Sequence, residues 1–361
     1  MGLTTTERVQ AVADYDFTER QARFLVLVMR HAGLCVKRQY AAFAGIANGG
    51  EKCNAFFDKL VSRGYAVQAD CIHNRAHPYH VHSKPLYHAI GDPDSRFRRT
   101  VPARAANERL MRLDAALISP DLEWLTTRSE KVAHLVSTTA SDSRAARVDV
   151  PFEESANSAN ELPGTFPIGV DSIGRTVLLY LATKPCTDDF RTFLVGHTLL
   201  LSVMSTWTLR LVFPQSLRRT VEAYQTVACE ELESRLQADT IRELQHYFFH
   251  RRRGTDLTAI PETLRAILTR YSGIYGGPRF THLYRRWLTD ENAALTPISP
   301  VIPEALASRR AQIECVVLPH TYDHLSPLVS RRRARRRGRQ QGEERGDETR
   351  RSINPSLNPV P

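Results

Sequence analysis

The sequence predicts an α+β chain: an N-terminal winged helix-turn-helix, then a mixed α/β domain, then C-terminal helices. Three observations carry this. Apolar residues recur at helical spacing in three short segments between residues 18 and 63, with Asn48-Gly49-Gly50 as a turn before the third. Two alternating stretches follow, Tyr65 to Ala69 and Tyr79 to His82, split by a polar loop, as a β-ribbon requires. Beyond residue 165, apolar strands and helices alternate.

Each element has a local reason. Residues 1–16 are polar and read as a disordered N-terminus. Thr18 to Gln21 fits a capping box, in which Ser/Thr and Glu/Gln side chains satisfy the free amides at a helix start. Phe24, Leu27, Val28 and His31 continue that helix, and Gly33 ends it. Lys37 to Ala47 forms the second helix, and Glu51 to Arg63 the third, with Phe56, Phe57, Leu60 and Val61 inward. Helices are expected over 104–118 and 121–136, and a linker over 138–165, within which 147–152 forms a strand. Phe166 to Val170 and Thr176 to Ala182 form a hairpin. Asp188 to Met204 is a helix, and Trp207 to Phe213 an apolar strand. Four more helices follow. The predicted division is 17–120 for the winged helix, 121–295 for the α/β core with added helices, 296–330 extended, and 331–361 a disordered tail.

Composition narrows the partners. With 361 residues, 42% hydrophobic and 24% charged, the chain can bury a core. The net charge is +10. Ten arginines against four acids in the tail supply six of these charges. A basic body with a more basic tail suits a polyanion. Six scattered cysteines without a C-x-x-C pair argue for reduced thiols in a cytoplasmic setting. No stretch is long and apolar enough to span a bilayer, so no membrane partner is expected. No cofactor is expected either.

The third helix is the candidate DNA reader. Lys52, Lys59 and Arg63 line the border of its buried face, where they suit phosphate contact. Its outermost residues are Glu51, Ala55, Asp58 and Ser62, two of them acids that phosphates repel. Arg75, His77, His80, His82 and Lys84 cluster on the wing and add positive character. Winged helices serve both DNA and protein contacts, so a protein-interaction module remains the competing role. Cys71 and the wing histidines are zinc-ligand types, but their spacing fits no finger or ribbon, and no metal is assigned.

The order of elements over 121–214 resembles the core of the PD-(D/E)xK nuclease superfamily, whose acids and lysine hold a divalent metal that activates water. Asp171 stands where the first acid would be, and Lys184 where the lysine would be. Position 182, where the second acid belongs, is Ala182, and Glu123 or Glu130 is left to supply a carboxylate. The core therefore reads as degenerate, with a metal-dependent endonuclease as the alternative.

Three segments together resemble the replication-relaxation family of plasmids and conjugative elements: Phe17 to Leu25, Phe56 to Tyr65, and Tyr79 to Tyr87. The resemblance covers residues 17–215. It implies a winged helix followed by a degenerate nuclease-like domain, and a role in plasmid replication or transfer through double-stranded DNA, with plasmid or transfer proteins as further partners. It assigns no catalytic residue. The tail run Arg331, Arg332, Arg333, Arg335, Arg336, Arg337 and Arg339 is expected to add salt-sensitive, sequence-independent affinity for nucleic acid.

Overall fold

A computed structural model describes residues 3–71, 76–140, 166–234, 236–256, 258–291, 295 and 300–325. Two compact units emerge, Met1–Leu117 together with the segment from Tyr322 onward, and Ile118–Thr321. The described residues form a mixed α+β protein with 13 α-helices and two sheets. No helix among them is long and apolar enough to cross a membrane.

Unit 1 begins with α1 (Thr5–Ala13), where the sequence predicts disorder. The reason is a capping box: Thr4 Oγ1 accepts from the Glu7 amide at 3.2 Å, and Glu7 accepts from the Thr4 amide at 2.6 Å. The helix then buries Val9 and Val12 in the core. Helix α2 (Glu19–His31) starts at the predicted box of Thr18 and Gln21. Strand β1 (Leu34–Cys35), α3 (Lys37–Ala44), α4 (Glu51–Ser62), β2 (Ala66–Gln68) and β3 (Tyr79–Val81) follow. The three strands form an antiparallel sheet in the order β1-β3-β2, with His80 facing Leu34 on one side and Val67 on the other. An aromatic core holds the helices together: the Tyr40 and Phe56 ring centroids are 4.2 Å apart, and those of Phe57 and Tyr79 4.4 Å, each pair tilted. Helix α5 (Lys84–Ala89), a 3-10 turn at Arg96–Arg98 and α6 (Ala103–Leu117) complete this stretch.

Two contacts fix the unit's far side. Gly33 is left-handed (φ 65°), and a Cβ there would sit 2.2 Å from the Phe97 carbonyl oxygen. Only glycine lets the Arg96–Arg98 turn approach the end of α2 so closely. On α6, the buried Asp114 carboxylate takes a two-pronged bond from Arg38 on α3 at 2.9 and 2.8 Å. The Tyr322 hydroxyl donates to the same carboxylate at 2.6 Å. Burial first, and then the Asp114 charge, push the Tyr322 phenol well up, which keeps its proton in place to donate.

Unit 2 carries β4 (Glu123–Leu125), α7 (Arg128–Ala140), β5 (Ile168–Val170), β6 (Thr176–Leu181), α8 (Asp188–Val203) and β7 (Trp207–Phe213). Next come α9 (Val221–Leu232), α10 (Ala238–Arg252), α11 (Glu262–Ile274), α12 (Pro278–Trp287), α13 (Val301–Ala307) and β8 (Ala311–Val317). The five strands lie in sequence order; β4-β5-β6 pair antiparallel and β6-β7-β8 parallel. Trp207, Leu209, Leu211 and Phe213 on one face of β7, and Thr208 and Val212 on the other, are buried, as a strand covered on both faces requires.

Two expectations are corrected here. The segment 121–136 is not one helix, because Glu123–Leu125 pairs with β5 and Thr127 starts a new cap with Glu130. The span 296–330 is not simply extended, because α13 packs in the core and β8 pairs with β7 along seven positions. Residues 322–325 then return to unit 1. The strand expected at 147–152 lies outside the described residues.

Gly33→Ala should lower unfolding stability by about 3 kcal/mol, since left-handed strain and a backbone collision add. Asp114→Ala should cost about 3 to 5 kcal/mol by stranding the half-buried Arg38 charge. Urea unfolding measures both.

Candidate nucleic-acid interface

Helix α4 begins at Gly50, which gives its free amides no side-chain cap. The left-handed Gly49 (φ 77°) turns the chain into it. Asn54 donates to the Gly49 carbonyl at 2.9 Å and accepts from Lys37 Nζ at 2.7 Å, which brings the first residue of α3 to this helix end. Arg20 of α2 donates to the Ala44 carbonyl at 3.1 Å. Lys52 is exposed. Arg20 and Lys52 line a groove of about 850 Å³ with Tyr40, Phe43 and Ile46. Among the described residues, Arg20, Lys37 and Lys52 have no carboxylate partner. Unpaired cations beside the positive end of a helix make a surface that favours anions. Glu51 in the first turn works against it.

The predicted stripe along α4 is otherwise occupied. Asp16 accepts an ion pair from Lys59 at 3.0 Å and from Arg63 at 2.7 Å. Lys59 also donates to the Asp16 carbonyl and lies 5.2 Å over the Phe17 ring. The hydrogen bond from Lys59, then that from Arg63, holds the Asp16 carboxyl below the usual carboxylate range. One carboxylate shared by two cations leaves a single positive charge at this end of α4 at neutral pH. As pH falls through the lowered Asp16 value, this tie is lost and both cations are released.

The wing residues do not form one surface. His80 turns toward the Arg96–Arg98 turn, with Nε2 3.2 Å from the Phe97 carbonyl, and burial lowers its pKa below the ordinary histidine value. It is then neutral at pH 7 and adds no charge for a phosphate. His82 is half-buried with its ring 6.0 Å from that of His80. His77 lies 4.0 Å from Asp70 and lines a separate 330 Å³ pocket with Lys37, Tyr79 and His324. Lys84 is exposed, but it opens α5 and is not part of the ribbon. Arg75 and the tail arginines lie outside the described residues. Among the described residues, no three His, Cys, Asp or Glu side chains are placed to hold a metal.

The nuclease-like pair is not brought together. Asp171 closes the β5–β6 turn, its Oδ1 accepting from the Ile173 and Arg175 amides at 3.0 and 2.8 Å. Lys184 lies past the other end of β6, paired with Asp189 at 2.7 Å. Six strand residues at about 3.3 Å each keep the two some 20 Å apart, too far to share one metal. Glu123 pairs with Val170 as a strand residue, and Glu130 accepts from the Thr126 and Thr127 amides at 2.8 and 3.0 Å as a helix cap.

Family models, curated proteins and solved structures contain no match to this chain. The geometry alone therefore bears on its function.

Sequence patterning missed Asp16, Arg20 and Lys37. Lys37 and Arg20 were visible as cations near helix starts. The Asp16 pairing joins residues 43 and 47 positions apart, which no local pattern reports. Asp171→Ala should lower stability by about 1 kcal/mol through two orphaned amides. Mg²⁺ at millimolar concentration should leave the melting temperature of the native chain unchanged.

Proposed function

We propose that the chain is a DNA-binding protein that docks on the duplex through unit 1, at the N-terminal end of α4. The observation that carries this is the group of Arg20, Lys37 and Lys52, which lack carboxylate partners around an uncapped helix start. The order helix, strand, helix, helix, strand, strand over residues 19–81 is that of a winged helix, and it supports the same reading. That order also supports the likeness to the replication-relaxation family and, through it, a role in the copying or transfer of a plasmid or mobile element. The five-stranded sheet of unit 2 acts in this reading as a scaffold.

Fluorescence anisotropy with a duplex over a salt series tests the docking face. Arg20→Ala, Lys37→Ala and Lys52→Ala should each weaken binding and flatten the log–log salt slope by about 1. Lys59→Ala should weaken binding less than Lys52→Ala does, since Asp16 offsets one of the two charges that Lys59 and Arg63 carry. Asp16→Asn keeps a residue that tolerates the left-handed backbone (φ 67°) and frees two cations, so it should steepen the slope. No duplex binding at low salt would remove the proposal.

A second reading, a protein-docking module, is favoured by the exposed Val61 on α4 and Val67 on β2, with the exposed acids Glu51 and Asp58 also on α4. A chain that ignores duplex DNA yet loses a co-purifying protein on Val67→Asp would support it.

A further inference from the structure

Among the described residues, two arginines drawn into the fold each have acids of their own. Arg38 is matched by Asp114, and Arg191, whose side chain is 4% exposed, by both Glu230 and Glu231. A group of three arginines with one acid among them surrounds Phe97, itself buried. The guanidinium carbons of Arg96, Arg109 and Arg112 stand 4.9, 5.3 and 5.9 Å from this one ring centroid. Among the described residues a single carboxylate is bonded to the trio: Glu108, 2.8 Å from Arg112. Three fixed cations and one anion leave a local excess of two positive charges.

The trio is poorly satisfied by hydrogen bonding as well. Arg112 has a side chain only 8% exposed, and its Nε has no partner. Arg109 reaches only the Ala32 carbonyl, at 3.3 Å. The Tyr87 hydroxyl, which feels the charge of Arg109, is fully buried and also lacks a partner. Burial pushes Arg112 down to about 10, and Arg96 and Arg109 below their ordinary values. Ring contact offsets only part of the mutual repulsion. The scaffold is nevertheless rigid: Gly33 admits the Arg96–Arg98 turn, and His80 lies against its carbonyl. Like charges held together by a rigid frame, with unsatisfied donors among them, are the arrangement that captures an anion.

We propose that Arg96, Arg109 and Arg112 form a binding site for a phosphate dianion, the group shared by inorganic phosphate and phosphomonoesters. Its charge matches the excess, and its oxygens accept the forked donors that arginine presents. The site is independent of duplex docking. His80, on β3, turns toward the trio's turn, while its neighbour Tyr79 packs on Phe57 of α4.

Thermal melting at constant ionic strength tests this. Inorganic phosphate in place of chloride should raise the melting temperature of the full chain saturably. Arg96→Ala, at an exposed position, should weaken the apparent phosphate affinity by roughly tenfold or more. Without phosphate, the same variant should melt no lower than the native chain, because one repelling charge is gone. Lys52→Ala should keep the full phosphate response. A nucleoside 5′-monophosphate that saturates at lower concentration than inorganic phosphate would identify the source as a phosphomonoester, and the reverse would identify the free ion. The proposal is overturned by an absent or non-saturating shift, by an Arg96→Ala response equal to the native one, or by competition from duplex DNA without terminal phosphates, which would assign the trio to the duplex surface.

Discussion

The buried Asp114 carboxylate is the constraint around which unit 1 is organised. A charge taken out of water needs a counter-charge and hydrogen bonds at close range. Arg38 supplies the charge from α3, and Tyr322 supplies a further donor. Helix α6 is thereby held to α3 on one face. Arg109 and Arg112 sit on its other side, since residues 112 and 114 are about 200° apart on a helical wheel. The same helix carries an acid with its own counter-charge toward α3 and two cations that share one acid toward Phe97.

Charge pairing also separates the two faces of α4. Its C-terminal cations, Lys59 and Arg63, share the one carboxylate of Asp16, a residue in a left-handed turn between α1 and α2. Its N-terminal end keeps cations that bond only to neutral groups or to none. A count of lysines and arginines along a helix therefore overstates the charge a partner meets. What matters is how many remain after the fold has made its own pairs.

The helices of unit 1 were legible in the sequence because their signals are local: a capping box at Thr18 and Gln21, a glycine stop at Gly33, and an apolar stripe through Phe56, Phe57 and Leu60. Helix α1 carries the same box at Thr4 and Glu7 but has few apolar residues, so its polarity masked it. Strands β4 and β8 were missed for another reason. Each is specified by its neighbour, β5 and β7 respectively, and β8 pairs with residues about 100 positions earlier. The candidate site divides in the same way. Lys52 could be placed from the helix period. Asp16 with Lys59, and the meeting of Arg96, Arg109 and Arg112, depend on contacts between distant segments. The nuclease-like pairing failed because hairpin geometry, which strand order does not report, sends Asp171 and Lys184 to opposite ends of β6.

The return of residues 322–325 to unit 1 has a consequence for biosynthesis. Chains emerge from the ribosome N-terminus first, and domains tend to fold as they appear. All of unit 2 is synthesised between the two pieces of unit 1. Unit 1 therefore waits, with Asp114 lacking its tyrosine, until more than two hundred later residues have been translated, while unit 2 has its whole sheet in hand once β8 has emerged. A ribosome that stalls between Leu117 and Tyr322 leaves unit 1 without its final clasp, which couples completion of that unit to completion of the chain.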